Sequence, residues 1–335
     1  MNRIKYNISR LKRIKTADML DTVKHVSFRC GKAKIIVLID IIWCGLRYSA
    51  GFTDYDVFQM ERTNSKQRRT FITRGVNDDY VKLLNIKEYR HFFENKDEFN
   101  TEFSKYLHRQ WMIINGDKAD EFKSWISGKE VLIAKPKAEM CGKGIQKLYV
   151  KDFSDINALF QYLLKSNCDL VEECLQQHEQ LNKIYPGSIN TIRLVTVYKN
   201  GNAKAVVSYF RMGKSENFVD NFISGGLLTR VDIETGKLMF DAVDHEGKIY
   251  AEHPDTKINI KGFTIPMWDD CIEMALNAAA VIPQVGYVGW DIAVTPDGPA
   301  LVEGNEFPGH VMYQLPAHTP DNYGLLPLFN KIIFG

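Results

Sequence analysis

The distribution of apolar and polar positions divides the chain near residue 95. Residues 1–95 show helical and irregular spacing, with aromatics scattered through "YSAGFTDYDVFQM" and no alternating runs. The most apolar run, "IIVLIDIIWCGL" (35–46), reads as a buried helix. It is about half the ~20 residues a membrane span needs, and Asp40 interrupts it. A helix lying at a membrane interface is its other reading.

Beyond residue 95 the pattern becomes regular. "KDEFNTEFSKYLHRQW" sets Phe99, Phe103, Tyr106 and Leu107 at helical spacing. "EVLIAKP" is a strand that Pro136 ends, and a glycine-bearing loop leads to a second strand, "IQKLYV". "SDINALFQYLLKS" is a helix with Ser154 as N-cap, and "DLVEECL" is a short strand. These elements make a small lobe, 96–175. A larger lobe, 176–335, opens with "NTIRLVTVY" and "AKAVVSYFRM" around the turn "KNGN", then "GGLLTRVDI" and the turn "ETGK". "MWDDCIEMALNAAAVI" is an amphipathic helix with Trp268, Ile272, Ala275, Ala279 and Ile282 on one face. The fold class is α+β: two lobes preceded by a helical N-terminal region, 1–95. Candidate ligand groups at the ends of both lobes suggest a cleft between them.

The last β-like pair poses a chemical question. In "GWDIAVTPDGPALVEGN", Pro296-Asp297-Gly298 is a turn signal. A hairpin symmetric about Asp297 sets Asp291 opposite Glu303, with Asn305 on the same face as Glu303. Facing carboxylates repel, so something positive belongs between them. Two carboxylates and a carboxamide suit a hard divalent cation, Mg²⁺ above all.

Composition adds few constraints. The chain is 45% hydrophobic and 25% charged with a net charge of +2, so no global field points to nucleic acid and no such partner is expected. The charge is uneven: ten Lys or Arg stand in residues 1–34 against Asp18 and Asp21. That segment is either a solvated helical face or a contact for an anionic lipid surface or charged glycan. Six cysteines form no C-x-x-C, and the basic start lacks a signal-peptide pattern. A reducing, cytoplasmic location is expected, with the inner face of the membrane as the variant in which the basic segment binds it.

Other groups are individually weak signals. Lys135 ends an apolar strand, and Gly142, Lys143 and Gly144 follow in a loop that can approach phosphate, although no Walker A pattern is present. Glu172 and Glu173 end a strand, so one of them faces inward and needs a donor; an adenine amino group is one candidate and a solvent-facing edge is the plainer alternative. Arg193 and Arg211 stand on adjacent strands and can clamp a phosphoryl group or carboxylate. "DNFISGG" adds Asn221, Gly225 and Gly226, a loop whose backbone N–H groups can reach a developing oxyanion.

The order "IAKP…CGKGI", "LVEECL…HE", "NTIR…FRMG…VDNFISGG" and "GWDIAV…GPALVEGN…PG" resembles the ATP-grasp superfamily, in particular its sugar-transfer-associated group. It is similar too to the ligases that add glutamate to a ribosomal protein. The resemblance covers roughly residues 95–315. It implies that Lys135 and the loop 142–144 contact nucleotide phosphates. It implies that Glu172, Glu173, Cys174 and Leu175 form the adenine hinge, with Glu179 at the ribose. Asp291, Glu303 and Asn305 would hold Mg²⁺, and Arg193, Arg211 and Asn221 would line the γ-phosphate and acyl-phosphate site. A second nucleotide lysine has three candidates, Lys96, Lys105 and Lys129. The implied activity is an ATP-dependent ligase joining a small-molecule or glycan carboxylate to an amine through an acyl phosphate, in surface-polysaccharide modification. The alternatives are a kinase of the same fold, or a non-catalytic nucleotide-binding protein tethered by its basic N-terminus. The helical residues 1–95 depart from the Rossmann-like start common in the superfamily.

Overall fold

The computed structural model describes residues 16–136, 144–215, 220–223 and 225–335. Gly142, Lys143 and six of the ten N-terminal cations (Arg3, Lys5, Arg10, Lys12, Arg13, Lys15) lie outside the described residues. The chain divides into two compact units, Met1–Leu84 with Gly309–Gly335, and Asn85–Pro308. This differs from the expected boundaries: the division falls at 84/85 rather than 95/96, and residues 309–335 join the N-terminal unit instead of the large lobe.

The first unit is helical. Its longest described helices, Thr16–Cys30 and Lys34–Tyr48, bury Val23, Val26, Val37, Ile41 and Cys44 against Tyr55, Phe58 and Phe71. The returning C-terminal segment is fixed by polar groups. Buried Asp54 accepts from the backbone of Gly51 (2.7 Å) and Arg74 (2.8 Å) and pairs with His310 Nε2 at 2.8 Å. Gln314, fully buried, donates to the carbonyls of Ile72 (3.1 Å) and His310 (2.8 Å) and accepts from the amides of Ile72 (2.9 Å) and Leu325 (3.0 Å). The helix 34–48 is not the buried helix expected: only one face is covered, and Ile35, Ile36, Ile39, Ile42, Trp43 and Leu46 are exposed.

The second unit holds two antiparallel sheets among its described residues. The smaller comprises β1 (Trp111–Ile113), β2 (Val131–Lys135), β3 (Gln146–Tyr149) and β4 (Leu170–Glu173), in the order β1-β4-β2-β3. β1 begins at Trp111, the last residue of the segment expected to be helical. The helix there runs only over Lys96–Glu102, a 3₁₀ turn follows at Ser104–Tyr106, and His108 in the left-handed region (φ 49°) turns the chain away. Phe99, Phe103 and Leu107 are buried all the same. The helix Ile156–Lys165 packs on this sheet, capped by Asp155, whose Oδ1 accepts from Ala158 N at 2.8 Å, rather than by Ser154.

The larger sheet contains β5 (Thr191–Lys199), β6 (Asn202–Met212), β7 (Leu227–Val231), β8 (Ala242–Val243), β9 (Ile249–Tyr250), β10 (Tyr287–Thr295) and β11 (Gly298–Asn305), ordered β11-β10-β5-β6-β7-β8-β9. Asn200 and Gly201, both at positive φ, make the tight turn that β5 and β6 need. Ile192, Leu194, Phe210, Val288, Trp290, Ile292 and Leu301 give one face to the core, where the helix Trp268–Ala279 covers them with Cys271, Met274, Ala275 and Ala278. Period-two alternation therefore turns Arg193, Tyr209, Arg211 and Asp291 to the other face.

Candidate active site

The β10–β11 hairpin pairs Asp291 with Glu303 and Gly289 with Asn305. The pairing is as expected, but its cause is different. The turn is two residues, Pro296–Asp297, between the paired Thr295 and Gly298, and the ladder from there would set Asp291 opposite Val302. A bulge at the Asp291/Ile292 step leaves Val302 without an opposite partner and shifts the register by one. Without it, Glu303 and Asn305 would point toward the core with Trp290.

Cross-strand partners continue this row over the sheet: Glu303, Asp291, Arg193, Tyr209 and Arg230 lie opposite one another in turn. Asp291 is 1% exposed and carries two cations. Arg193 grips it with Nε and, at 2.9 Å, with Nη2; Arg211 Nη2 stands 2.8 Å from Oδ2. Thr191 Oγ1 accepts from Arg211 Nε (2.9 Å) and Nη2 (2.6 Å) and donates to Asp220. Burial works to raise the Asp291 pKa, but the charges of Arg193 and then Arg211 outweigh it and hold the carboxyl well below the usual range. The positive charge expected beside Asp291 is thus supplied by guanidinium groups from β5 and β6.

Glu303 behaves oppositely. Desolvation by the surrounding strands, then the charge of Asp291, push its carboxyl above the usual range. Glu303 keeps substantial exposed surface. Asn305 Nδ2 lies 3.3 Å from Glu303 Oε1. The Glu303 carboxylate and the Asn305 carboxamide stand side by side, a pair of side chains of the type that fits Mg²⁺, and a cation there would reverse the repulsion that raises the Glu303 pKa.

On the smaller sheet, Glu172 is the carboxylate that turns inward, 3% exposed. Its donors are protein groups: Lys135 Nζ at 2.6 Å, Arg109 Nε at 2.9 Å and Nη2 at 3.2 Å, and Asn100 Nδ2 at 3.1 Å. Burial would raise its pKa, and Arg109 and Lys135 together hold it well below the usual range. Four hydrogen bonds occupy this side chain, which corrects the expectation that it receives an adenine amino group. Glu173 points to the sheet edge, accepting from Gln110 N (2.7 Å) and pairing with Lys129 (3.2 Å). Cys174 and Leu175 follow it, and with Lys129, His108 and the turn Pro296–Asp297 they line a cavity of about 460 Å³ separate from the polar row.

Arg109 is the residue that the sequence reading missed. Besides Glu172 it donates to the carbonyl of Leu301 and, at 3.2 Å, to that of Val302. It thereby ties the small sheet to the bulge in β11 that aims Glu303. Nothing in "HRQW" marks it, because its partners come from strands far along the chain. Lys96 also stands between the sheets. It donates to the Pro136 carbonyl at 3.0 Å, and its pKa is lowered by burial and by the Lys135 charge against the pull of Glu303 and Glu172. Of the three candidates for a second lysine, it is the one beside Lys135; Lys105 lies over the Tyr106 ring and Lys129 over that of Trp125.

The remaining expected residues have local roles. Gly144 sits at φ 73°, and a Cβ there would lie 2.7 Å from Pro136, so this end of the loop needs glycine twice over. The glycine amides expected to face an oxyanion bond inside their own loop, Gly225 N to Phe222 O and Gly226 N to Asn221 O, which corrects that role. Asn221 Oδ1 accepts from Ile223 N at 3.0 Å. Glu179 is exposed in the first turn of the helix Glu179–Ile184, whose N-cap is His178. His310 pairs with Asp54 in the helical unit.

Among solved structures, the chain is similar to the ATP-grasp ligase PsnB complexed with its minimal precursor: 13% identity over 73% of this chain and 63% of that one, TM-score 0.41. It is also similar to D-alanyl-alanine synthetase A from Vibrio cholerae O1 (12%, 72% and 63%, TM-score 0.43) and to D-cycloserine synthetase DcsG (8%, 83% and 80%, TM-score 0.45). This chain spans less than two thirds of the length of the first two, 63% of each. No curated protein matches it. The profile of sugar-transfer associated ATP-grasp proteins matches residues 75–332, which takes in both antiparallel sheets and every group of the polar row. The chain belongs to the sugar-transfer associated ATP-grasp family.

Proposed function

We propose that this protein is an ATP-dependent carboxylate–amine ligase that works in the cytoplasm on a glycan or other carboxylated unit. The observation that carries the reading is the pair of buried carboxylates, each held by two cations. Glu172 is set by Lys135 and Arg109, and Asp291 by Arg193 and Arg211. Fixed cations of this kind need no reorganisation when charge develops during phosphoryl transfer.

In this reading Lys135 and Lys96 bind the nucleotide phosphates, using donors that Glu172 and Pro136 leave over. The backbone of Cys174 and Leu175 receives the adenine, since the Glu172 side chain is occupied. Glu303 and Asn305, with Asp291 behind them, hold Mg²⁺, which when bound neutralises the polyphosphate. Arg193 and Arg211 face the transferring phosphoryl group, held in place by Asp291 and Thr191. A substrate carboxylate attacks the γ-phosphorus, ADP leaves, and an amine then displaces phosphate from the acyl phosphate to form the amide. The family's association with sugar transfer supports a glycan acid, such as a uronic acid, as the carboxylate.

The test is to incubate the protein with Mg-ATP, hydroxylamine and a panel of amino acids and sugar acids, reading nucleotide products and product mass together. ADP with a hydroxamate is expected. AMP with pyrophosphate, or a stable phosphoester in place of a hydroxamate, would overturn the reading.

A further inference from the structure

The helix 34–48 is apolar on two sides. Val37, Ile41, Cys44 and Tyr48 face the core of the helical unit. Ile35 (61% exposed), Ile39 (61%), Trp43 (54%), Ile36, Ile42 and Leu46 stand outside it. At 100° per residue these six fall within an arc of about 120°, so they form one continuous stripe. Phe28, on the preceding helix, is 91% exposed.

Charge around the stripe has one sign. Lys32 and Lys34 stand at its beginning and Arg47 at its end, all exposed. The acid within the helix, Asp40, is turned away from solvent cations: Arg68 holds both its oxygens at 2.7 Å and Tyr55 donates to it at 2.6 Å. In sequence, residues 1–15 add six Lys or Arg and no acid. No described helix is long and apolar enough to cross a membrane.

We infer that this face docks the protein on an anionic lipid surface, with the 34–48 stripe lying in the interface plane. The chemistry matches each part. An apolar stripe carrying an aromatic enters the headgroup–acyl boundary, and flanking cations meet acidic headgroups. A two-fold contact with a second copy would press the same cations against each other, which disfavours it.

The test is flotation of the full chain with vesicles of phosphatidylcholine alone or with about 30% phosphatidylglycerol. Binding to the anionic vesicles is expected, falling as salt rises. Ile39→Asp and Trp43→Asp should each lower the bound-to-free ratio about tenfold or more, with unchanged melting temperature and unchanged ADP formation. Light scattering on the same samples separates the rival occupant. Absence of binding at low salt, or a dimer that these substitutions dissociate, would overturn the inference, and neither result bears on the ligase reading.

Discussion

At the residue scale the site balances two carboxylates whose environments act in opposite directions. Asp291, stabilised as an anion by Arg193 and Arg211, contributes stability above the unfolded carboxylate pKa of about 4 that is lost as pH falls through its depressed folded value. Glu303 has a raised pKa, so its contribution is fully present below the unfolded value and is lost as pH rises through the folded one. Near neutral pH it therefore destabilises the metal-free protein. Glu303→Gln should raise the melting temperature at pH 7.5, by the equivalent of about 0.5 kcal/mol, and the gain should vanish in acid, where the wild-type carboxyl is protonated. The same substitution should abolish ADP formation and the stabilisation that Mg-ATP gives the wild type. Calorimetry across pH with and without nucleotide checks all three. The pairing of Asp291 with Glu303 was legible in the sequence from strand alternation and a turn signal. Arg109 and Asn100 were not, since what makes them important is a carboxylate more than sixty positions away.

At the element scale the hairpin shows how a correct pairing can rest on an incomplete cause. Symmetry about Asp297 predicts the Asp291–Glu303 pair, yet the turn closes between Thr295 and Gly298, and the bulge at Val302 restores the register. A bulge leaves no composition signal in "ALVEGN", so nothing in these residues announces it. Inserting one alanine between Val302 and Glu303 should shift the ladder by one, set Glu303 opposite Trp290 and send Glu303 and Asn305 to the core face, with turnover falling about 100-fold or more. Far-UV circular dichroism should stay close to wild type, because the strands themselves remain. Unchanged turnover would mean that the acidic groups act from somewhere other than this face. The longer strands of both lobes were readable from alternation, whereas β1 begins only after His108 has ended the helical spacing of Phe99 and Phe103, and its three residues are too few to show a period of two.

At the scale of the whole molecule, the chain makes one unit from its two ends and the other from its middle. The sequence suggested the helical character of residues 1–95 but not that residues 309–335 join them, because Gln314 reads as an ordinary surface residue until its four backbone partners are seen. Gln314→Leu leaves those groups unpaired, at a cost of about 3 kcal/mol. Urea unfolding followed by far-UV circular dichroism should show the lowered midpoint, because this unit is helical. The same arrangement fixes an order of events during translation. The first 84 residues leave the ribosome early but lack His310 and Gln314 until the segment 309–335 has been made, whereas the middle unit holds all its partners sooner. Nascent chains therefore finish building in the reverse of the order in which they start, and their earliest helices wait longest for shelter from chaperone and protease.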